Sequence, residues 1–252
     1  MEKGQKESVK SDMIFGIRPV VEAIRSGKVF DKLFVQKNLM GDLLKELMQE
    51  IKEHKVVYTK VPIEKLNRLT RKTHQGVVGF ISPVEFASIE NIIDRCFATG
   101  KNPLLLVLDR VTDVRNFGAI VRTAECAGVD AVVVPARGAA QISSDAMKTS
   151  AGALNHVAIC RAFNLTQTLE TIQQSGINLV ACTEKTDKSV FEAELTPPVA
   201  IILGSEEDGI SADIMKIVNQ KAKIPILGRV ESLNVSTSAG IIIYEALRQR
   251  LQ

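Results

Sequence analysis

Three short stretches of this chain place small polar and charged side chains directly after apolar runs. Asn116, with Arg122 six residues on, follows Leu104-Leu105-Leu106-Val107-Leu108. Gly204-Ser205-Glu206-Glu207-Asp208-Gly209, three acids between glycines, follows the run Val199 to Leu203. Ser232 and Asn234 flank a leucine in the otherwise apolar stretch that opens at Ile224-Pro225. Beyond it Val235, Ala239, Ile242, Ile243, Ala246 and Leu247 recur at helical spacing, and Ser236, Thr237 or Ser238 can cap that helix. Ser232 and Asn234 then lie in a strand-to-helix turn beside a helix N-terminus, a place that favours anions. Each stretch also has a plain structural reading: capping hydroxyls, a capping asparagine with a surface arginine, and a solvated acidic loop.

Several other chemistries lack their residues. The chain has no GxG, so neither a dinucleotide fingerprint nor the glycine-rich turn of Rossmann-type methyltransferases is present, and it has no GKS or GKT phosphate loop. Its three histidines, His54, His74 and His156, are far apart, which leaves a zinc site and a Ser-His-Asp triad without candidates along the sequence. His74, in the turn His74-Gln75-Gly76, reads as a ligand contact or as a solvated loop residue. Cys96, Cys126, Cys160 and Cys182 are widely separated, mostly within apolar runs, and form no CxxC pair. They are read as buried thiols of a reducing cytoplasm, with no metal and no disulfide framework.

The surrounding elements must hold those stretches in place. A chain of 252 residues, 45% hydrophobic and 24% charged, suits a soluble globular protein of one large or two small domains. No apolar run approaches the ~18 residues of a membrane span, and the charged first dozen residues do not read as a signal peptide. Residues 1–83 hold 16 Lys/Arg against 10 Asp/Glu, while residues 101–252 hold 15 against 16. The basic excess is N-terminal and suggests a polyanionic partner, although solvated lysines on helix faces give the same count.

Residues 1–11 read as disordered, and residues 12–83 as a small α/β unit. Its strands are expected at Lys32 to Val35, Val56 to Tyr58 and Gly76 to Ile81, its helices at Val20 to Arg25, Asp42 to His54 and Ile63 to Arg71. Residues 84–102 read as a helical linker. From 103 to 252, strands at Leu104 to Leu108, Ala131 to Val134, Val157 to Cys160, Leu179 to Cys182, Val199 to Leu203 and Ala222 to Leu227 alternate with helices at Ala119 to Ala127, Ser144 to Leu154, Leu165 to Ser175, Ala212 to Val218 and Val235 to Leu251. Such alternation gives a mostly parallel sheet covered on both faces, with ligands outside the strand C-terminal ends.

Taken together and in order, Asn116-x-Gly118-x-x-x-Arg122-Thr123-Ala124, Leu203-Gly204-Ser205-Glu206-x-x-Gly209-Ile210, and Ile224-Pro225 with Ser232-Leu233-Asn234-Val235-Ser236 resemble the three motifs of the SpoU (TrmH-type) RNA ribose 2′-O-methyltransferases of the SPOUT superfamily. The resemblance covers most of residues 104–251. Val114-Arg115 stands where many members have proline and histidine, which bears on loop stiffness and substrate contacts. Residues 12–83 are similar to the family's ribosomal-protein-like RNA-binding domain.

The resemblance implies an α/β fold whose C-terminal parallel sheet is threaded into a trefoil knot. It further implies S-adenosyl-L-methionine held by backbone around Gly204, Ile224 and Leu233, and a homodimer. Asn116, Arg122, Glu206, Ser232 and Asn234 fall on the catalytic positions. The family proposal makes the arginine a base, but a guanidinium is not deprotonated in proteins. Holding phosphate and stabilising a developing alkoxide suits Arg122 better. Asn116, Ser232 and Asn234 would orient the arginine, the ribose or the cofactor, and Glu206 would position the site. The expectation is a cytoplasmic enzyme methylating a ribose 2′-oxygen of ribosomal RNA, at a guanosine of the large subunit. Transfer RNA as substrate and a non-catalytic RNA-binding or assembly factor are the rival readings.

Overall fold

The structure, a computed structural model, describes residues 13–252; the disorder expected over residues 1–11 lies outside them. The chain forms two compact units that part between Pro83 and Val84. In the first, β1 (Met13–Phe15), α1 (Ile17–Arg25), β2 (Phe30–Gln36), α2 (Asp42–Glu53), β3 (Thr59–Val61), α3 (Ile63–Leu69) and β4 (Val77–Ile81) follow one another. The sheet order is β1-β4-β2-β3, with β2 and β3 parallel and the other pairs antiparallel. Val20, Val21 and Ile24 of α1 and Leu47 and Ile51 of α2 pack with Leu33, Val35 and Val77. Leu66 of α3 packs with Val61 and Val78.

His74 is neither a solvated loop residue nor free for a ligand. It is buried; its Nδ1 accepts the Gly76 N–H at 3.0 Å and its Nε2 lies 2.9 Å from Asn67 Oδ1. The ring thereby fixes a turn in which both Gln75 and Gly76 have positive φ.

The second unit runs β5 (Phe86–Ala87), α4 (Ile89–Ala98), β6 (Leu104–Leu108), α5 (Val114–Cys126), β7 (Ala131–Pro135), α6 (Ser144–Thr149), β8 (Ala158–Ala162), α7 (Leu165–Gln174), β9 (Asn178–Cys182), β10 (Val199–Leu203), α8 (Ala212–Ile217), β11 (Gln220–Ala222) and α9 (Val235–Arg250). All its strand pairs are parallel, in the order β11-β9-β10-β6-β7-β8-β5. The continuous apolar strands supply both faces, because successive side chains alternate across the sheet. Leu104, Leu106 and Leu108 of β6 join one core with α5 and α9, while Leu105 and Val107 join the other with α4 and α7.

Residues 84–102, expected as a linker, belong to this unit. Phe86 and Ala87 pair with Ile159 and Cys160, and Ile89, Ile92, Ile93 and Cys96 of α4 fill the second core. A two-residue strand is too short for alternation to reveal. The helix expected over Ser144 to Leu154 breaks after Thr149, where Ala151 and Gly152 turn to positive φ and a 3-10 turn, Ala153–Asn155, follows. The strand expected through Leu227 stops at Ala222. Of the cysteines, Cys96 and Cys160 are buried and Cys182 half-buried, but Cys126, closing α5, is exposed. Burial pushes the Cys160 and Cys182 thiols up to about 12, with smaller contributions from Glu90 and Glu184.

The far end of α9 is tied down by Arg250. Its guanidinium donates to four backbone carbonyls, Leu195 at 3.0 Å, Asn102 at 2.8 Å, Pro103 at 3.0 Å and Pro197 at 2.8 Å. Among the described residues no helix is long and apolar enough to cross a membrane.

Candidate active site

After β7 and β8 the chain returns across the sheet to β9 and β10, so β6 and β10 are neighbours at the point where strand order reverses. Crevices at such points, outside the carboxyl ends of the strands, are where open α/β sheets bind ligands. The first two motif loops leave β6 and β10 there, and the third leads into α9, which packs on α5.

Asp113, the N-cap of α5, accepts from the Arg115 and Asn116 N–H groups at 2.8 Å each. Asn116 is therefore not the cap; its side chain is released for the site. Likewise α9 is capped by Asn234, whose Oδ1 accepts the Ser236 N–H at 2.9 Å, and not by Ser236, Thr237 or Ser238. The capping oxygen of Asn234 faces its own helix, which leaves its amide nitrogen free to donate outward. Gly118 is needed for another reason: a Cβ there would overlap the Thr149 side chain, so α5 and α6 could not approach as they do.

Three of the expected site residues converge on one oxygen. Glu206 Oε1 accepts from Asn116 Nδ2 at 2.9 Å and from Asn234 Nδ2 at 2.7 Å, and Asn234 Nδ2 also reaches Asn116 Oδ1 at 3.0 Å. The carboxylate thus meets the first turn of α5 and the cap of α9, two helix N-termini whose dipoles favour negative charge. It holds side chains from all three motifs in one constellation.

The acidic loop is a closed turn. Ser205 and Gly209 exchange backbone hydrogen bonds at 3.2 and 3.0 Å, and the Asp208 N–H donates to Ser205 Oγ at 3.1 Å. Gly204 lies so close to this turn that a Cβ would overlap the Gly209 carbonyl carbon. Two residues without an assigned role in the sequence reading anchor it. Buried Asp109 accepts the Ser211 N–H at 2.7 Å, and Arg110, at φ 60°, reaches Asp208 and the Gly209 carbonyl. Their only signal in the sequence is an Asp-Arg pair at the end of an apolar strand.

Arg122 and Ser232 do not join the constellation. Both are exposed, and neither side chain makes a hydrogen bond among the described residues. Six helical residues set Arg122 about 240° round the α5 axis from Asn116, so the two side chains leave different faces. The loop carrying Ile224 and Leu233 is irregular. No backbone N–H or C=O of residues 224–233 takes part in a hydrogen bond among the described residues, and Leu227 and Val230 are 99% and 72% exposed. This loop offers unspent backbone donors and acceptors beside apolar side chains.

The sequence model described as the SpoU rRNA Methylase family matches residues 103–244, which span all three motifs. The chain belongs to the SpoU rRNA methylase family. A second model, RNA 2′-O ribose methyltransferase substrate binding, matches residues 13–87. Among similar proteins, the 23S rRNA (guanosine-2′-O-)-methyltransferase of Photobacterium profundum is 34% identical over 244 residues, 96% of this chain and 99% of that one. A Staphylococcus saprophyticus chain named for the TrmH family of tRNA/rRNA methyltransferases is 32% identical over 238 residues, 94% of this chain and 96% of its own. The SpoU methyltransferase AviRb from Streptomyces viridochromogenes, solved with AdoMet, shares the fold at a TM-score of 0.61 and 23% identity, over 95% of this chain and 90% of that one. As a member of the SpoU family the chain is an RNA methyltransferase.

Proposed function

We infer that this methyltransferase acts on a ribose 2′-hydroxyl, and that its RNA is large-subunit ribosomal RNA, at a guanosine. The observation that carries the reading is Glu206 Oε1, on which Asn116 and Asn234 from the other two motifs both converge. S-adenosylmethionine supplies a methyl group already activated on a sulfonium, so the protein's task is to align a weak nucleophile and manage one proton. The loop 224–233 fits that cofactor: its free backbone groups, with Gly204, Ile224 and Leu233, give polar contacts, and its exposed apolar side chains give faces for a purine. Alignment of bound reactants is worth ~7 kcal/mol or more.

Glu206 is assigned a positioning role, because its Oε1 holds the amides of Asn116 and Asn234 together. Asn116, Asn234 and Ser232 orient ribose and cofactor. Arg122, exposed and without a partner among the described residues, is available as a fixed cation for an RNA phosphate and for the alkoxide that develops on the ribose. The proton goes to phosphate or water. The first unit recruits the RNA, which its match to the substrate-binding model supports, together with Lys65 over the Phe34 ring at 4.8 Å and Lys72 over the Phe15 ring at 5.6 Å.

The same reading includes a knotted C-terminal segment, a homodimer and a cytoplasmic location. Ile242 and Ile243 of α9 are spent on the core, but Tyr244 next to them stays 49% exposed, which supports a partner on that face. The ribosomal reading is supported by the Photobacterium relative, named for 23S rRNA, while the Staphylococcus relative, matched over a similar share, is named for tRNA and rRNA alike. The test is to map 2′-O-methyl marks on ribosomal and transfer RNA from cells with and without the protein. Loss of one guanosine mark in large-subunit RNA is expected. Loss confined to transfer RNA moves the substrate there, and loss of none overturns the reading.

A further inference from the structure

Arg110 holds a left-handed backbone, φ 60°, that a glycine adopts freely and that a longer residue adopts only where its surroundings enforce it. Its side chain shows what does so. Nε donates to Asp109 Oδ1 at 3.2 Å, Nη1 to Asp208 Oδ2 at 2.9 Å, and Nη2 to the Gly209 carbonyl at 3.1 Å. Asp109 is buried, and its other oxygen takes the Ser211 N–H at 2.7 Å. One leg of the acidic turn continues from β10, where the Asp109 N–H meets the Leu203 carbonyl at 2.8 Å. The other leg is held by Arg110 and Asp109 from the end of β6. Glu206 lies between the two legs.

We propose that Arg110 is a positioning residue for methyl transfer, a latch that fixes the acidic turn so that Glu206 meets Asn116 and Asn234 together. The proposal rests on the reading that the Glu206 constellation is the working site. Arg110 donates to no atom of Glu206 itself, so its effect passes through the backbone of the turn. A planar guanidinium is suited to this because it can engage a side chain and a carbonyl at once in fixed geometry, which an ammonium cannot. A mere structural staple would use the same bonds but would act on stability and not on rate.

The test uses Arg110→Gly, which suits the backbone and removes the latch. Single-turnover methyl transfer at saturating RNA and S-adenosylmethionine should fall about 10- to 100-fold, the scale expected for a misplacement near 1 Å. RNA affinity should change less than about threefold, and Arg110→Lys should recover only part of the rate. In a Glu206→Ala background, with nothing left to position, Arg110→Gly should cost no more than about twofold, because residues acting through one another are not additive. Asp208→Ala, which removes one prong without touching the strained backbone, should show a smaller loss with the same dependence on Glu206, and it carries the comparison should Arg110→Gly not fold. Hydrogen exchange at the Ser205, Asp208 and Gly209 amides should quicken in either variant whether or not the protein is active. A wild-type rate in Arg110→Gly, an equal loss in the Glu206→Ala background, or RNA affinity falling as far as the rate would overturn the latch, as would unchanged exchange at the three amides. Wild-type protein that methylates no RNA would instead overturn the functional reading, leaving exchange to decide the latch.

Discussion

The Asn234 amide nitrogen lies 2.7 Å from Glu206 Oε1, and the same oxygen receives the Asn116 amide at 2.9 Å. One carboxylate oxygen thus coordinates two asparagines that enter from different helices. Glu206→Gln keeps the shape but turns an acceptor of charge-assisted bonds into a neutral amide. Each such bond is worth ~1.5–3 kcal/mol, so a loss of roughly 10- to 100-fold in single-turnover transfer is expected. Glu206→Ala should lose more. Because the pair is exposed, neither change should alter the melting temperature by more than a few degrees. A Glu206→Gln enzyme at full rate would remove the carboxylate from the argument.

Arg122→Ala tests the residue that the structure leaves unengaged. Transfer should drop by several orders of magnitude while S-adenosylmethionine affinity changes little, because the cofactor contacts proposed above fall on Gly204 and the loop 224–233 and not on α5. Arg122→Lys should recover little, since a point charge does not reproduce the two-pronged donor. Calorimetric cofactor binding beside single-turnover rates decides it; parallel loss of both would falsify the assignment.

A chain starting at Val84 should keep S-adenosylmethionine binding and lose most RNA affinity. Starting at Asn102 instead removes β5 and α4, uncovering the core that Ile89, Ile92, Ile93 and Cys96 fill, and that shorter chain should aggregate. RNA binding by the full chain should weaken steeply with salt. Undiminished RNA affinity in the Val84 chain would move recognition out of the first unit.

The thiols give a pH signature. With Cys160 and Cys182 raised to about 12, less than roughly one in a thousand is thiolate at pH 8, so iodoacetamide should modify exposed Cys126 alone in the native protein. Unfolded, these thiols ionise near pH ~8.5. Because folding raises their pKa, the stability they contribute is whole below that value and is lost as pH climbs toward about 12. Cys182→Ala should flatten the alkaline fall in melting temperature; an unchanged slope would count against burial of that thiol.

Much of this architecture is legible in the sequence where one physical cause dominates. Leu104 to Leu108 and Val199 to Leu203 are strands with the expected bounds because an unbroken apolar run of five, closed by polar residues, has few other stable uses. The three motif loops were legible as positions, but which side chain caps and which one works was not. Asp113 and Asn234 cap the helices because local backbone geometry brings their oxygens onto the free N–H groups, and Ser236 was an equally good candidate by type. Arg110 was illegible for the opposite reason: its role depends on Asp208, far along the chain, and no local pattern encodes a contact across strands. The segment 223–227 reads as a strand because it is mostly apolar, yet Ile226 and Leu227 face outward and no neighbouring strand pairs with it beyond Lys223.

The anchoring of Arg250 on four carbonyls has a temporal side. The helix that begins with Asn234 at the site ends, about 24 Å away, on residues 102–103 and 195–197, which lead into the N-terminal ends of the central strands β6 and β10. Until residue 250 has been synthesised and seated, core packing alone sets most of that helix and its far end lacks these four anchors, so the asparagine at its start is less firmly placed beside Glu206. A chain stopped short of Arg250 can therefore complete every strand of the sheet and still leave the cap of its third motif without this anchor.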